Sequence, residues 1–104
     1  MDKYIVVTTL CDKEEVAKSI VESLLEKRLV AGSQVSRVHS KYWWNNKLEE
    51  CDEYKLEFRT KESKFAIIEN EIKKIHNYEV AEISYYEING ASEEFLNWID
   101  ENTK

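Results

Sequence analysis

The sequence contains no proline and only two glycines among its 104 residues. A glycine-rich phosphate loop needs several glycines close together, and Gly32 and Gly90 lie far apart, so that class of nucleotide site is excluded. Two cysteines, Cys11 and Cys51, are too few for a disulfide scaffold. No apolar run approaches the ~20 residues of a membrane helix, so we expect no membrane partner.

The first residues, 1–4, lack the charged-then-apolar layout of a secretion signal and run directly into an apolar segment. Cysteines without a disulfide framework are typical of a reducing compartment. Together these features predict a cytoplasmic protein.

Charge and composition narrow the possible partners further. The formal net charge is −6 and the calculated pI is about 5.0, so the surface repels phosphate backbones and we expect no nucleic-acid partner. Hydrophobic residues make up 42% and charged residues 35% of the chain, which is typical of a globular protein. The length predicts one domain, residues 1–104.

Apolar periodicity predicts the element order β-α-β-β-α-β-α. The expected strands cover residues 4–10, 34–44, 47–59 and 80–88, and the expected helices cover residues 13–28, 62–76 and about 95–99. Asp12 with Glu15 predicts a capping box at the first helix, and Ser92 an N-cap at the last. Each long helix should connect strands lying side by side in one sheet. Right-handed crossovers then give an α+β, ferredoxin-like split β-α-β fold.

The central hairpin, residues 35–59, is unusually long. About twelve residues a side span roughly 40 Å, more than a small four-stranded sheet covers. Asn45 and Asn46 tolerate positive φ and predict a tight turn. Beside it, Tyr42, Trp43 and Trp44 would expose a large aromatic patch on a monomer, and such patches usually mark an interface. The sequence therefore predicts self-association through this hairpin.

Few residues are candidates for binding a metal ion or for catalysis. His39 and His76 are the only imidazoles, and neither has the spacing of a zinc site. One His with Cys or carboxylates from a neighbouring subunit could still form a weak metal site. No Ser-His-Asp or Cys-His arrangement can be assembled, so we expect no enzyme activity. An acid–base pair of Glu82 with Lys47 or Tyr78 is the alternative ranked last.

Acidic residues concentrate at two places. Alternation puts Glu49 and Glu53 on one face of the return strand and Glu50 and Asp52 on the other. Their charge is typical of an exposed hairpin edge kept soluble; the alternative is that they bind a cation or position a ligand. Glu82 falls on a strand expected to be central, where a charge needs a partner. The cations available to it are Lys47, Arg59 and Lys61.

Three segments resemble the CutA divalent-cation tolerance family. Residues 42–50, Tyr-Trp-Trp-Asn-Asn-Lys-Leu-Glu-Glu, resemble that family's Tyr-Trp-Trp-x-Gly-Lys-Ile-Glu signature. Residues 76–83, His-Asn-Tyr-Glu-Val-Ala-Glu-Ile, resemble its His-Pro-Tyr-Glu-Val-Pro-Glu-Ile. Residues 92–99 look like its C-terminal helix, and the likeness spans essentially the whole chain.

The resemblance implies a homotrimer whose long hairpins pair across subunits, a relation to PII signalling trimers, and weak binding of copper or another divalent cation. Gly32 stands where many members of that family have Cys. Ile75 stands where some bacterial members have a second His, and Thr8 stands near the position of a metal-binding Cys in those members. The remaining candidate metal ligands are His76, Cys11 and Cys51. The alternative is a PII-like regulatory or scaffolding trimer that binds a small organic ligand between subunits. Its predicted cleft residues are Tyr42, Trp44, Lys47, Glu50, Arg59, Tyr78 and Glu82.

Overall fold

The structure, a computed structural model, describes residues 2–104. Its elements follow the predicted order. They are β1 (Tyr4–Cys11), α1 (Glu14–Glu26), β2 (Gly32–Trp44), β3 (Lys47–Lys61), a 3-10 turn (Glu62–Lys64), α2 (Phe65–Ile75), β4 (Ile83–Glu87) and α3 (Glu93–Asn102). None of the helices in this part of the chain is long and apolar enough to span a membrane.

The four strands form one sheet in the order β2-β3-β1-β4, with every neighbouring pair antiparallel. This arrangement confirms the α+β split β-α-β fold. The expectation that each helix connects adjacent strands is wrong, because β3 lies between β1 and β2, and β1 lies between β3 and β4. The short hairpin turn after β2 makes β3 pair directly with β2, so β3 fills the space between β2 and β1.

The main core lies between one face of the sheet and helices α1 and α2. β1 is an interior strand and contributes Ile5 and Val7, and β3 contributes Leu56 and Phe58. Apolar residues at helical spacing meet them from the two helices; the buried ones are Ala17, Ile20, Leu24, Ile68 and Ile72. The core residues of each strand are two positions apart because successive side chains of a strand point to opposite faces of the sheet.

Helix α3 covers the other face of the sheet at the end nearest Gly32. It contacts β3, and its Ile99 is fully buried. A Cβ placed on Gly32 would lie 2.7 Å from Cη2 of Trp98, so the absence of a side chain allows this close approach. Ser92 caps the helix by accepting a hydrogen bond from the Phe95 amide at 3.2 Å, as predicted.

Both ends of α1 differ from the prediction. The capping box at α1 is wrong, because Lys13 is the N-cap residue and no side chain caps the helix; Asp12 instead accepts a hydrogen bond from Asn77 at 3.2 Å. At the other end, α1 stops before Arg28, whose φ of 57° reverses the chain.

The last strand is also shorter than predicted. β4 begins at Ile83 and lies at a sheet edge, so Glu82 is neither within a strand nor central. Residues 77–82 instead cross the end of β1, where Asn77 and Tyr78 are held by side-chain hydrogen bonds.

Candidate ligand-binding cleft

The far ends of β2 and β3 project beyond the rest of the sheet. β1 ends at Cys11, which is paired with Tyr54, while β2 and β3 continue as a two-stranded ribbon to the turn. We call residues 38–44 and 47–53 the arm. Every residue from 41 to 50 is exposed, on both faces of the ribbon, so the arm is held within this chain chiefly by its backbone ladder.

The turn at the end of the arm has positive φ at both central residues, 51° at Asn45 and 61° at Asn46. A two-residue loop of this kind matches the right-handed twist of a hairpin, and asparagine adopts positive φ more readily than most residues. The predicted tight turn is confirmed.

A large open cavity lies between the arm and residues 77–82. Its volume is about 1040 Å³. The arm contributes residues 39–44 and Glu53, and β1 contributes Leu10 with the adjacent Asp12. Aromatic side chains and carboxylates are both present in its lining, a combination suited to binding a small polar ligand.

Glu53 is the most buried polar residue lining this cavity, with 5% of its surface exposed. Its Oε2 accepts a hydrogen bond of 2.6 Å from the Tyr78 hydroxyl. Burial and this hydrogen bond both raise the pKa of Tyr78, so the phenol remains protonated at neutral pH. The sequence pattern was wrong about Glu53, which it assigned to an exposed hairpin edge.

His76 directly follows α2, and hydrogen bonds occupy both of its ring nitrogens. Nε2 lies 2.7 Å from the carbonyl oxygen of Leu10 and therefore donates to it, while Nδ1 accepts from the Tyr78 amide at 3.1 Å. This pattern fixes the neutral ring with its proton on Nε2. A metal ion could bind His76 only by displacing one of these backbone groups.

Each of the two cysteines has a contact that does not involve His76. Cys11 is fully buried, its Sγ lies 3.8 Å from the carbonyl oxygen of Lys13, and burial raises its thiol pKa. Cys51 lies on the arm with its Sγ 3.6 Å from the Tyr42 hydroxyl, a contact that raises the pKa of Tyr42 to about 12. Within residues 2–104, no three His, Cys, Asp or Glu side chains are grouped to hold a metal ion.

Comparison with known proteins gives a consistent match along the chain. The model of the family described as "CutA1 divalent ion tolerance protein" matches residues 5–102. The chain belongs to the CutA1 divalent ion tolerance family. The resemblance found in the three sequence segments is thereby confirmed.

Individual members of the CutA1 family agree with this assignment. The divalent-cation tolerance protein CutA of Archaeoglobus fulgidus is 35% identical over 97% of this chain and 95% of its own length. A solved structure, described as the periplasmic divalent cation tolerance protein CutA from that organism, superposes with a TM-score of 0.94, covering 97% of this chain and 99% of that one at 32% identity. CutA1 from Oryza sativa gives a TM-score of 0.93 at 27% identity, over 98% and 94% of the two chains.

This CutA1 chain brings together four of the seven predicted cleft residues. Tyr42, Trp44, Tyr78 and Glu82 all line the cavity. Lys47, Glu50 and Arg59 lie outside its lining within a single chain. The cation expected beside Glu82 is not there: among residues 2–104 its carboxylate accepts from the Ser84 hydroxyl at 3.0 Å and forms no ion pair.

His39, which also lines the cavity, belongs to an ionic cluster on the arm that the sequence did not single out. His39 Nδ1 lies 2.7 Å from Asp52 Oδ1, and His39 Nε2 lies 3.2 Å from Glu50 Oε2. Asp52, and then Glu50, raise the pKa of His39. The carboxylates bind opposite sides of the ring, so these groups do not converge on one point as metal ligands would. The sequence signal for this cluster was that Glu50 and Asp52 fall on the same face of β3, on the strand that pairs with His39.

Proposed function

We propose that this member of the CutA1 family acts in tolerance to divalent cations as a homotrimer assembled through its arm. The observation that carries the proposal is the exposure of large apolar side chains on the arm. Trp43 is 73% exposed, and Leu48, its cross-strand partner, is 59% exposed. Aromatic residues in such a patch favour an interface. The number of subunits, three, follows from the family resemblance.

A buried donor on the body of the sheet supports the same proposal. Nη1 of Arg59 is buried and has no hydrogen-bond partner among residues 2–104. Leaving such a donor unpaired costs about 1–3 kcal/mol, more for a charged group. Arg59 lies on the interior strand β3 and its side chain projects from a face of the sheet, so a neighbouring subunit packed on that face could supply an acceptor.

The second part of the proposal concerns how a divalent cation would bind, since the family is named for tolerance to such ions. The residues of one chain do not fit a metal centre, because His76 is engaged at both nitrogens and Cys11 is buried. Copper or another divalent cation would therefore bind weakly, with ligands from more than one subunit. Cys51, on the arm, is the best placed of the three predicted ligands to take part.

The role proposed here is non-catalytic and cytoplasmic. Tyr78, the candidate acid–base partner of Glu82, has a raised pKa and donates a hydrogen bond to Glu53, so it stays protonated and is a poor acid–base catalyst at neutral pH. Both cysteines are free, as expected in a reducing compartment.

Two measurements test this proposal. Sedimentation equilibrium should give a mass near three chains, and a stable folded monomer at working concentration would contradict the trimer. Isothermal titration with copper should show weak binding that decreases in Cys51→Ser. Equal affinities in wild type, Cys51→Ser and His76→Ala would exclude both side chains as ligands.

The second candidate function is a PII-like regulatory or scaffolding trimer that binds a small organic ligand. The specific observation in its favour is the cleft itself, where Tyr42, Trp44 and Tyr78 surround a cavity large enough for a metabolite. Stabilisation of the protein by a metabolite in a thermal-shift screen supports it, and a screen in which no metabolite raises Tm argues against it.

A further inference from the structure

The charges that line the cleft do not balance. Its lining contains the carboxylates of Asp12, Glu53, Glu79 and Glu82 and only two cationic or titratable basic groups, His39 and Lys41. Within residues 2–104 none of these four carboxylates forms an ion pair. Both basic groups pair elsewhere: His39 with Asp52 and Glu50, and Lys41 with Glu50 at 3.7 Å. Within a single chain the cleft therefore presents uncompensated negative charge.

Glu53 is the member of this set for which the imbalance matters most. Its side chain is more than nine-tenths buried, and the Tyr78 hydroxyl is its one hydrogen-bond donor in the described chain. A carboxylate has two oxygens and room for about four hydrogen bonds. Burying such a group without a counter-charge is unfavourable, so a cation entering the cleft would gain from pairing with it.

The aromatic side chains of the cleft indicate which kind of cation fits. Tyr42, Trp44 and Tyr78 line the same cavity, and aromatic faces attract organic cations through their ring quadrupoles. The carboxylates, in contrast, are not grouped as the ligands of a metal ion. Aromatic walls with one buried carboxylate form a site for an ammonium or guanidinium group.

We propose that this cleft binds a small organic cation carrying an ammonium or guanidinium group, with Glu53 as the carboxylate that pairs with it. The inference rests on the second candidate function above and names the chemical class of its ligand. Tyr78 acts as a positioning residue, because its hydroxyl holds one oxygen of Glu53 and leaves the other for the cation.

The chain supplies a matched control on the same strand and the same face of the sheet. Glu57 lies four residues after Glu53 and accepts a hydrogen bond of 3.1 Å from the Tyr86 hydroxyl, which reproduces the Glu53–Tyr78 contact outside the cleft. Replacing either Glu by Gln removes a charge and keeps an acceptor for the tyrosine. Only Glu53→Gln should affect binding in the cleft.

Isothermal titration of the full chain with 1,4-diaminobutane tests the proposal, with uncharged 1,4-butanediol as the probe control. Wild type should bind the diamine and not the diol. Glu53→Gln should weaken diamine binding about tenfold or more, as expected for loss of a charged hydrogen bond, whereas Glu57→Gln should leave it within about twofold. Circular dichroism checks that each variant is folded. Glu82→Gln is a second test, since Glu82 is exposed and its replacement should weaken diamine binding less than Glu53→Gln does.

The outcomes separate this inference from the proposed function. No diamine binding by wild type, or equal weakening by Glu53→Gln and Glu57→Gln, overturns the inference. If the protein still sediments as a trimer and responds to copper, divalent-cation tolerance stands while the organic-cation site falls. If Glu53→Gln is unfolded and Glu82→Gln binds the diamine as wild type does, the inference is also overturned.

Discussion

In the body of the sheet, Leu56 and Phe58 are fully buried beneath α1 and α2, whereas ten residues further back along the same strand Leu48 is 59% exposed. The body gains its stability from apolar burial within one chain. The arm has a complete backbone ladder but no buried apolar side chain, and an isolated two-stranded hairpin is at best marginally stable in water. One end of β3 therefore folds the body, and the other end is left for the association that we propose.

The largest effect is expected in the body. Phe58→Ala should lower the free energy of unfolding by about 3–5 kcal/mol, because a fully buried ring leaves a cavity that its neighbours fill only in part. Chemical denaturation measures the change. A loss below about 1 kcal/mol would mean that the body is not the stable part of the molecule.

The next effect concerns association. Trp43→Ser should raise the dissociation constant of the assembly at least about tenfold, or roughly 1.4 kcal/mol, because it removes the most exposed aromatic side chain of the arm. Ile67→Ser is the matched control, since Ile67 on α2 is also an exposed apolar residue, at 52%, but lies away from the arm. Sedimentation equilibrium compares them, and equal weakening by both would remove the distinction between arm and body.

An effect of similar size is expected where the body meets α3. Gly32→Ala should cost about 1–3 kcal/mol, because the new Cβ would lie 2.7 Å from the Trp98 ring and the ring must shift. Gly90→Ala is the control, since its Cβ would have no heavy atom within 4 Å. Thermal unfolding measures both, and Trp98→Ala should reduce the penalty of Gly32→Ala. A penalty that persists in the double variant would show that the Trp98 contact is not its cause.

The smallest effect is a pH dependence of the arm. Asp52 and Glu50 raise the pKa of His39 in the folded chain above its ordinary value of 6.5. The stabilisation is therefore fully present below that ordinary value and is lost as pH rises through the raised pKa. An NMR titration of the His39 ring measures the pKa, and Asp52→Asn should lower it. An unchanged pKa in that variant would contradict the assignment.

Much of the fold could be predicted because its causes are local. Alternating apolar residues indicated β3, helical spacing indicated α1 and α2, and Asn45-Asn46 indicated the turn. The boundaries of α1 and β4 were less certain because tertiary contacts decide them. Asp12 binds Asn77 instead of capping α1, and residues 77–82 cross toward the arm instead of extending β4.

The candidate site was only partly predictable for the same reason. Tyr42 and Trp44 were found because an aromatic patch is visible in sequence. The burial of Glu53 was missed, since alternation places it opposite the core and nothing nearby shows that Tyr78, 25 residues later, reaches it. The backbone partners of His76 are likewise set by tertiary structure, so a histidine that looks like a free ligand in sequence is already engaged.

The ladder between β2 and β3 runs through thirteen successive pairs, from Gly32 with Arg59 to Trp44 with Lys47, without a bulge. Because faces alternate with every residue, inserting a single residue into one strand of this ribbon would turn the side chains beyond it to the opposite face. Changes in arm length that preserve function are therefore restricted to steps of two residues per strand, each moving the tip by about 7 Å. Homologous arms should vary in length by such steps.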